Sequence, residues 1–109
     1  MTEIFNRHDF LERLDGDEDI LEILLQTFLE SAPEQLHEIS QALDAGDALQ
    51  LQQQAHSLRG AAAGISAEAL REAALQVELA GKNGEIKQAR PLVETLTQEF
   101  DNLKQVLGK

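Results

Sequence analysis

Apolar residues recur at intervals of three and four along almost the whole chain. That is the period of an amphipathic helix, and no long alternating β-branched run competes with it. Phe10, Leu11 and Leu14 form the apolar side of a short segment over about 8–14, which Asp15-Gly16-Asp17 ends as a turn. Ile20, Leu21, Leu24, Phe28 and Leu29 carry the pattern through about 17–32. Ala32-Pro33 reads as a break or kink, with Pro33 in the first turn of a new helix over about 33–45 that holds Leu36, Ile39 and Leu43. Gly46 then serves as C-terminal punctuation and Asp47 as the next N-cap. A helix over about 47–65 follows. Ser66 is the expected N-cap of another, which ends near Gly81-Lys82-Asn83-Gly84. The last segment, about 85–107, carries Ile86, Ala89, Val93, Leu96, Phe100, Leu103 and Leu107, and Pro91 is expected to kink or restart it. The predicted fold is all-α: an antiparallel four-helix bundle with additional short N-terminal helix or helices packed alongside or over one end. No repeat, linker or low-complexity tail divides the chain, so residues 1–109 read as one domain.

Composition narrows the function classes. The chain has no cysteine, which removes disulfides and thiolate metal sites and fits a reducing, cytoplasmic compartment. No apolar run reaches the ~18 residues of a transmembrane helix, and no signal-peptide pattern opens the sequence, so no membrane contact is expected. The formal net charge is −11, with thirteen acidic and two basic residues in 1–50 and seven of each in 51–109. Nucleic acid is not expected as a partner, because a phosphate backbone needs a basic footprint. The acidity itself reads as solvation of helix surfaces. No histidine pair has metal-ligand spacing, and neither Gly-x-Ser-x-Gly nor a P-loop is present.

The fourth segment is the most informative. At 100° per residue, Ala48, Leu51, Ala55, Leu58, Ala62 and Ile65 fall in one stripe of about 100°, the expected core face. His56 lies roughly 130° from the centre of that stripe and should face solvent. Leu49, Gln53, Gly60 and Ala63 share its side, while Gln52 and Arg59 lie on the flank between His56 and the core. An exposed glycine in mid-helix costs about 0.5–1 kcal/mol against alanine. The cost at Gly60 is understandable if a partner must approach the backbone beside His56. Arg59, three residues on, is placed to reach a group carried by the imidazole, and a guanidinium suits phosphoryl oxygens. His8 and His37 have no such setting and read as ordinary surface residues.

The stretch Ala55-His56-Ser57-Leu58-Arg59-Gly60-Ala61-Ala62 resembles the phospho-acceptor signature of histidine phosphotransfer (HPt) domains in two-component phosphorelays, His-x-Leu-Lys/Arg-Gly-Ser/Ala-Ala. Ile65-Ser66-Ala67 falls where that family commonly has an aliphatic residue, Gly and Ala. Leu70, Ala74, Glu78, Gly81 and Lys82 are similar to the pattern of its following helix, and LLQTFLESAPEQLHEISQALDAGD is similar to its leading helices. Ser66 is the departure, where glycine is frequent, and it bears on the bend between the two central helices. The resemblance implies that His56 accepts a phosphoryl group from the aspartate of a response-regulator receiver domain and passes it to another receiver. It implies Arg59 as a phosphoryl contact, Gly60 as open docking surface, Glu78 as a residue orienting the imidazole and Lys82 as a second phosphoryl contact. Leu49, Gln52, Gln53 and Ala63 are then the nearest partner-binding residues. Phe5, Phe10 and Leu14 are expected mainly as a lid over the bundle end.

The implied partners are receiver domains and a hybrid sensor histidine kinase, met by a monomer. No cofactor or metal is expected on this chain, the metal ion belonging to the receiver. No autokinase activity is expected either. A sensor-kinase dimerisation helix usually has an acidic residue after its histidine and a proline a few residues later, whereas Ser57 and Ala61 stand here. The other reading of the same pattern is a non-catalytic helical protein-interaction module, for which His56 would be dispensable.

Overall fold

The computed structural model describes residues 2–109. A short helix, α1 (Arg7–Arg13), precedes four long ones: α2 (Glu18–Ala45), α3 (Ala48–Gly64), α4 (Glu68–Lys82) and α5 (Ile86–Leu107). The turn between α2 and α3 is built as the sequence predicts, and Asp17, expected only as part of a turn, proves to be a cap as well. Asp17 and Asp47 cap α2 and α3 by accepting from the backbone N–H of Ile20 and Gln50. Gly46 ends α2 at φ 67°, a left-handed conformation in which a Cβ is penalised.

The four long helices form a bundle 42 Å long, with α3 and α4 in the most extensive contact and α2 and α5 in lighter contact. Leu21 and Ile39 of α2, Leu51 and Leu58 of α3, Leu70 and Val77 of α4, and Leu96 and Leu103 of α5 are fully buried along its axis. Phe28 and Phe100 meet across α2 and α5 with ring centroids 6.3 Å apart. Alanine is frequent among the buried residues of the two helices, Ala55 and Ala62 on α3 and Ala69, Ala73, Ala74 and Ala80 on α4, and Gly81 of α4 lies directly against the backbone of α3. Small side chains let two helix backbones come closer than leucines would.

At Pro33 the structure departs from the expected start of a new helix, and at Pro91 no restart occurs. α2 runs unbroken through Pro33, and α5 through Pro91. The buried positions of α2 are Leu21, Leu25, Phe28, Ala32, Ile39, Ala42 and Leu43, a stripe that keeps its phase across Pro33. Burial along that stripe outweighs the one lost backbone hydrogen bond, and Pro33 itself is exposed, so the orphaned carbonyl side can be solvated. The stripe also corrects the expected core. Leu25 is buried, whereas Ile20 and Leu24, predicted to be on the apolar side, are 44% and 39% exposed.

Ser66 is not an N-cap. It stands at φ 60° and is buried, and Ala67 takes the cap position of α4 without a side-chain hydrogen bond. The Ser66 hydroxyl donates to Asp9 Oδ2 at 2.7 Å and accepts from Arg13 Nη2. Arg13 Nη2 also lies 3.3 and 3.4 Å from the carbonyls of Ala63 and Gly64, the open end of α3. The Asn6 N–H donates to the Ser66 carbonyl, and the Ala69 N–H, in the first turn of α4, donates to the Glu3 carbonyl. The N-terminal segment thus satisfies both helix ends at the α3–α4 corner. Phe10 is buried beneath it, with Phe5 and Leu14 packed partly buried against the core, so the aromatic residues form the expected lid.

The corner makes a stability prediction. Ser66→Ala keeps a Cβ in the left-handed region and removes both hydroxyl bonds to charged partners, for an expected loss of about 1–3 kcal/mol. Ser66→Gly removes the same bonds but relieves a backbone penalty of roughly 1 kcal/mol. Urea unfolding should rank stability as wild type, then Ser66→Gly, then Ser66→Ala; a reversed order of the two variants would refute this account of the corner.

Candidate functional site

His56 sits in the middle of α3, whose ends are fixed by Asp47 at one side and Arg13 at the other. Leu51, Ala55, Leu58 and Ala62 turn the opposite face of α3 into the core. His56 is therefore held outward, with 63% of its side chain exposed. Ala48, expected in the buried stripe, is only half-buried at the start of the helix.

The imidazole is free on one edge and held on the other. Its Nδ1 lies 2.8 Å from Glu78 Oε2, presented by α4. Glu78 Oε1 accepts from Arg59 Nε at 2.6 Å, and Arg59 Nη2 lies 3.0 Å from the same Nδ1. These three side chains form a closed triangle. A carboxylate only accepts and a guanidinium only donates, so Nδ1 can bond one of them at a time. If Nδ1 lacked a proton, its lone pair would face a carboxylate at 2.8 Å. The proton therefore belongs on Nδ1, donated to Glu78, and the Nε2 lone pair is left on the exposed edge. Glu78 is the most buried of the three, 15% exposed against 33% for Arg59. Two cationic or protic neighbours on one half-buried carboxylate fix its position.

The other predicted residues divide into two groups. Leu49 is 62% exposed, Gln53 and Gly60 are exposed, and Gln52 is half-buried, so these four surround His56 as expected. A Cβ added at Gly60 would meet nothing within 4 Å, so packing within this chain does not require glycine there. Gln52, Gln53, His56 and Glu78 line one shallow open depression. Ala63 is half-buried and its carbonyl is taken by Arg13, which places it at the rim. Lys82 is exposed one turn beyond Glu78 on α4 and is not drawn into the triangle. Among the described residues, no three His, Cys, Asp or Glu side chains converge in a way that would hold a metal ion.

Two features were missed in the sequence. Ile20, Ile23 and Leu24 leave an exposed apolar patch near the start of α2. Leu24 is three turns before Gln35 on one edge of that helix, and Gln35 Nε2 donates to Ser57 Oγ beside His56. The unbroken phase of α2 across Pro33 would have exposed that patch. The second is the contact made by Gly81, a residue named above only as part of a pattern, whose backbone lies directly against α3.

Among the described residues, no helix is long and apolar enough to cross a membrane. No curated protein matches the chain. Two solved structures resemble it over nearly their whole length. One is the histidine-containing phosphotransfer protein B (HptB) of Pseudomonas aeruginosa PAO1, at 27% identity and a TM-score of 0.88, covering 97% of this chain and 92% of that one. The other is the HPT domain of a sensor hybrid histidine kinase from Shewanella, at 25% identity and a TM-score of 0.74, covering 96% and 94%. The family model described as Hpt domain matches residues 23–106, from the second turn of α2 to the end of α5. The chain therefore belongs to the Hpt domain family and serves histidine phosphotransfer in a phosphorelay.

Proposed function

We propose that His56 carries the phosphoryl group, on Nε2. The observation that supports this most is the one-sided hold on the imidazole, with Nδ1 against Glu78 and the opposite edge exposed. In the forward step the Nε2 lone pair attacks the phosphorus of an aspartyl phosphate on a receiver domain. The bond from phosphorus to the aspartate oxygen breaks, and that carboxylate leaves with its electron pair. The imidazole then bears positive charge, with its proton still on Nδ1, and the Glu78 carboxylate stabilises that charge at a distance where a charge-assisted hydrogen bond is strong. Transfer to a second receiver is the same step in reverse. Most of the work in such a transfer is positioning and electrostatics, and the metal ion is expected on the receiver rather than on this chain.

Arg59 serves two purposes in this reading. Its Nε holds Glu78 and its Nη2 lies beside Nδ1, so Nη1 is the amino group left for a phosphoryl oxygen. Lys82 is a more distant second contact. Gly60, Leu49, Gln52 and Gln53 form the surface on which a receiver rests, with Ala63 at its rim and the α2 patch of Ile20, Ile23 and Leu24 extending it. The chain is a carrier and not an autokinase, acts as a monomer in the cytoplasm, and receives its phosphoryl group by way of a hybrid sensor kinase.

The direct experiment mixes the protein with a phosphorylated receiver and follows acid-labile label onto this chain by intact mass. Label should appear on wild type and vanish in His56→Gln, with helicity unchanged. Label that persisted in the variant would place the carrier elsewhere, and no label from several receivers would favour a pure interaction module. Gly60→Gln separates docking from folding. Gln is the better helix former by several tenths of a kcal/mol, so the variant should melt no lower than wild type yet transfer at least about tenfold more slowly. A wild-type rate would remove Gly60 from the docking surface. Arg59→Ala should slow transfer or shorten the phosphohistidine lifetime by roughly tenfold, the worth of one charge-assisted hydrogen bond. Unchanged kinetics would leave Arg59 a purely structural partner of Glu78.

A further inference from the structure

Among the glycines, Gly81 alone lies where a side chain would strike backbone. A Cβ built there would be 2.7 Å from the Gln52 amide nitrogen, 3.0 Å from the Gln52 Cα and 3.0 Å from the Ala48 carbonyl oxygen. All three are main-chain atoms of α3, so no change of rotamer makes room and a helix has to move. Gly81 is itself an α-helical residue, in the last turn of α4 and without a positive φ. Its conformation does not call for glycine; its contact does.

The contact lies one turn from the reactive side chain. Gly81 follows Glu78 by three residues on α4, and Gln52 precedes His56 by four on α3. Gly81 on Gln52 and Glu78 on His56 are therefore consecutive rungs of one antiparallel interface. We infer that Gly81 is a positioning residue for the imidazole: the missing side chain sets the α3–α4 separation at which the Glu78 carboxylate reaches His56 Nδ1. An added methyl group must push the backbones apart by several tenths of an ångström before its contacts become ordinary ones. One turn away, a hydrogen bond of 2.8 Å lengthened by that amount approaches the limit at which such a bond still holds. The Nδ1 proton then loses its acceptor, and the tautomer with the proton on Nε2, which has no nucleophilic lone pair there, gains population. The consequence for transfer rests on the phosphoryl-carrier reading; the consequence for the tautomer does not.

The experiment reads the imidazole directly, by long-range ¹H–¹⁵N correlation of labelled His56 in the whole unphosphorylated chain. Four proteins are compared: wild type, Gly81→Ala, Glu78→Ala as the reference for a lost acceptor, and Val93→Ala on α5 as a control for general loosening. Spectra are repeated in trimethylamine N-oxide, which restores the compact state of any partly unfolded variant. Wild type and Val93→Ala should hold the proton on Nδ1, while Gly81→Ala shifts at least severalfold toward the Nε2–H form seen in Glu78→Ala. An unshifted Gly81→Ala spectrum would overturn the inference. So would an equal shift in Val93→Ala, or no shift in Glu78→Ala. Phosphotransfer to Gly81→Ala should also be about tenfold slower, the kinetic equivalent of one weakened charge-assisted hydrogen bond. If no receiver labels even the wild type, the carrier reading fails while the tautomer comparison still decides the role of Gly81.

Discussion

The close approach of α3 and α4 is the constraint on which the site depends. His56 is on one helix and Glu78 on the other, and a carboxylate has a short reach beyond its own backbone. The contact at 2.8 Å exists where, one turn away, Gly81 lies directly against the backbone of Gln52 and Ala48 with no side chain between the two helices. Large residues are confined to the bundle axis, where Leu51, Leu58, Leu70 and Val77 supply most of the apolar burial. Two kinds of packing are thus separated on the same pair of helices. Bulk along the axis stabilises the bundle, and smallness at the outer seam brings functional groups within bonding distance.

The α3–α4 corner solves a second problem created by the same arrangement. A helix that carries an outward nucleophile must not fray, yet α3 has no basic residue in its last turn and α4 has no side-chain cap at its start. Both deficits are met from a distant part of the chain. Arg13 reaches the last carbonyls of α3, the Glu3 carbonyl takes an N–H of α4, and Ser66 joins Asp9 to Arg13 at the bend. The left-handed backbone at Ser66, which glycine would adopt more easily, is compensated by hydrogen bonds that glycine could not make. The short first helix is consequently part of the frame around the phosphotransfer helix.

Much of this was legible in the sequence, for identifiable reasons. The period of the apolar residues is a property of single helices, so the all-α class and the outward direction of His56 follow from it, and the cap at Asp47 follows from residue type beside Gly46. The nearness of Arg59 to His56 is also local. Errors arose where a local signal competed with phase. Pro33 suggests a boundary by residue type, although the stripe from Leu21 to Leu43 passes through it without a shift, and a boundary there hides the exposure of Ile20 and Leu24. Ser66 suggests a cap by residue type, whereas its role depends on Asp9 and Arg13, more than fifty residues away. Glu78 and Gly81 belong to the inter-helix register, which resemblance to a family can suggest but helical periodicity cannot derive.

A nucleophile that must be handed between large partners faces opposing demands. It has to be exposed enough for another protein's phosphoryl group to reach it, and ordered enough that its reactive atom points the right way. Burial would supply order but close the access that exchange requires. This structure meets both demands by dividing the imidazole between its edges. The Nδ1 edge is gripped by a carboxylate that is itself pinned by Arg59, so the ring orientation and its proton are fixed from behind. The opposite edge remains exposed, and one turn on, at Gly60, the helix surface has no side chain to obstruct a docking partner. Order is thus supplied through the neighbouring helix, and no pocket is needed. That explains why a chain with so little catalytic apparatus devotes its least bulky seam to holding a single histidine.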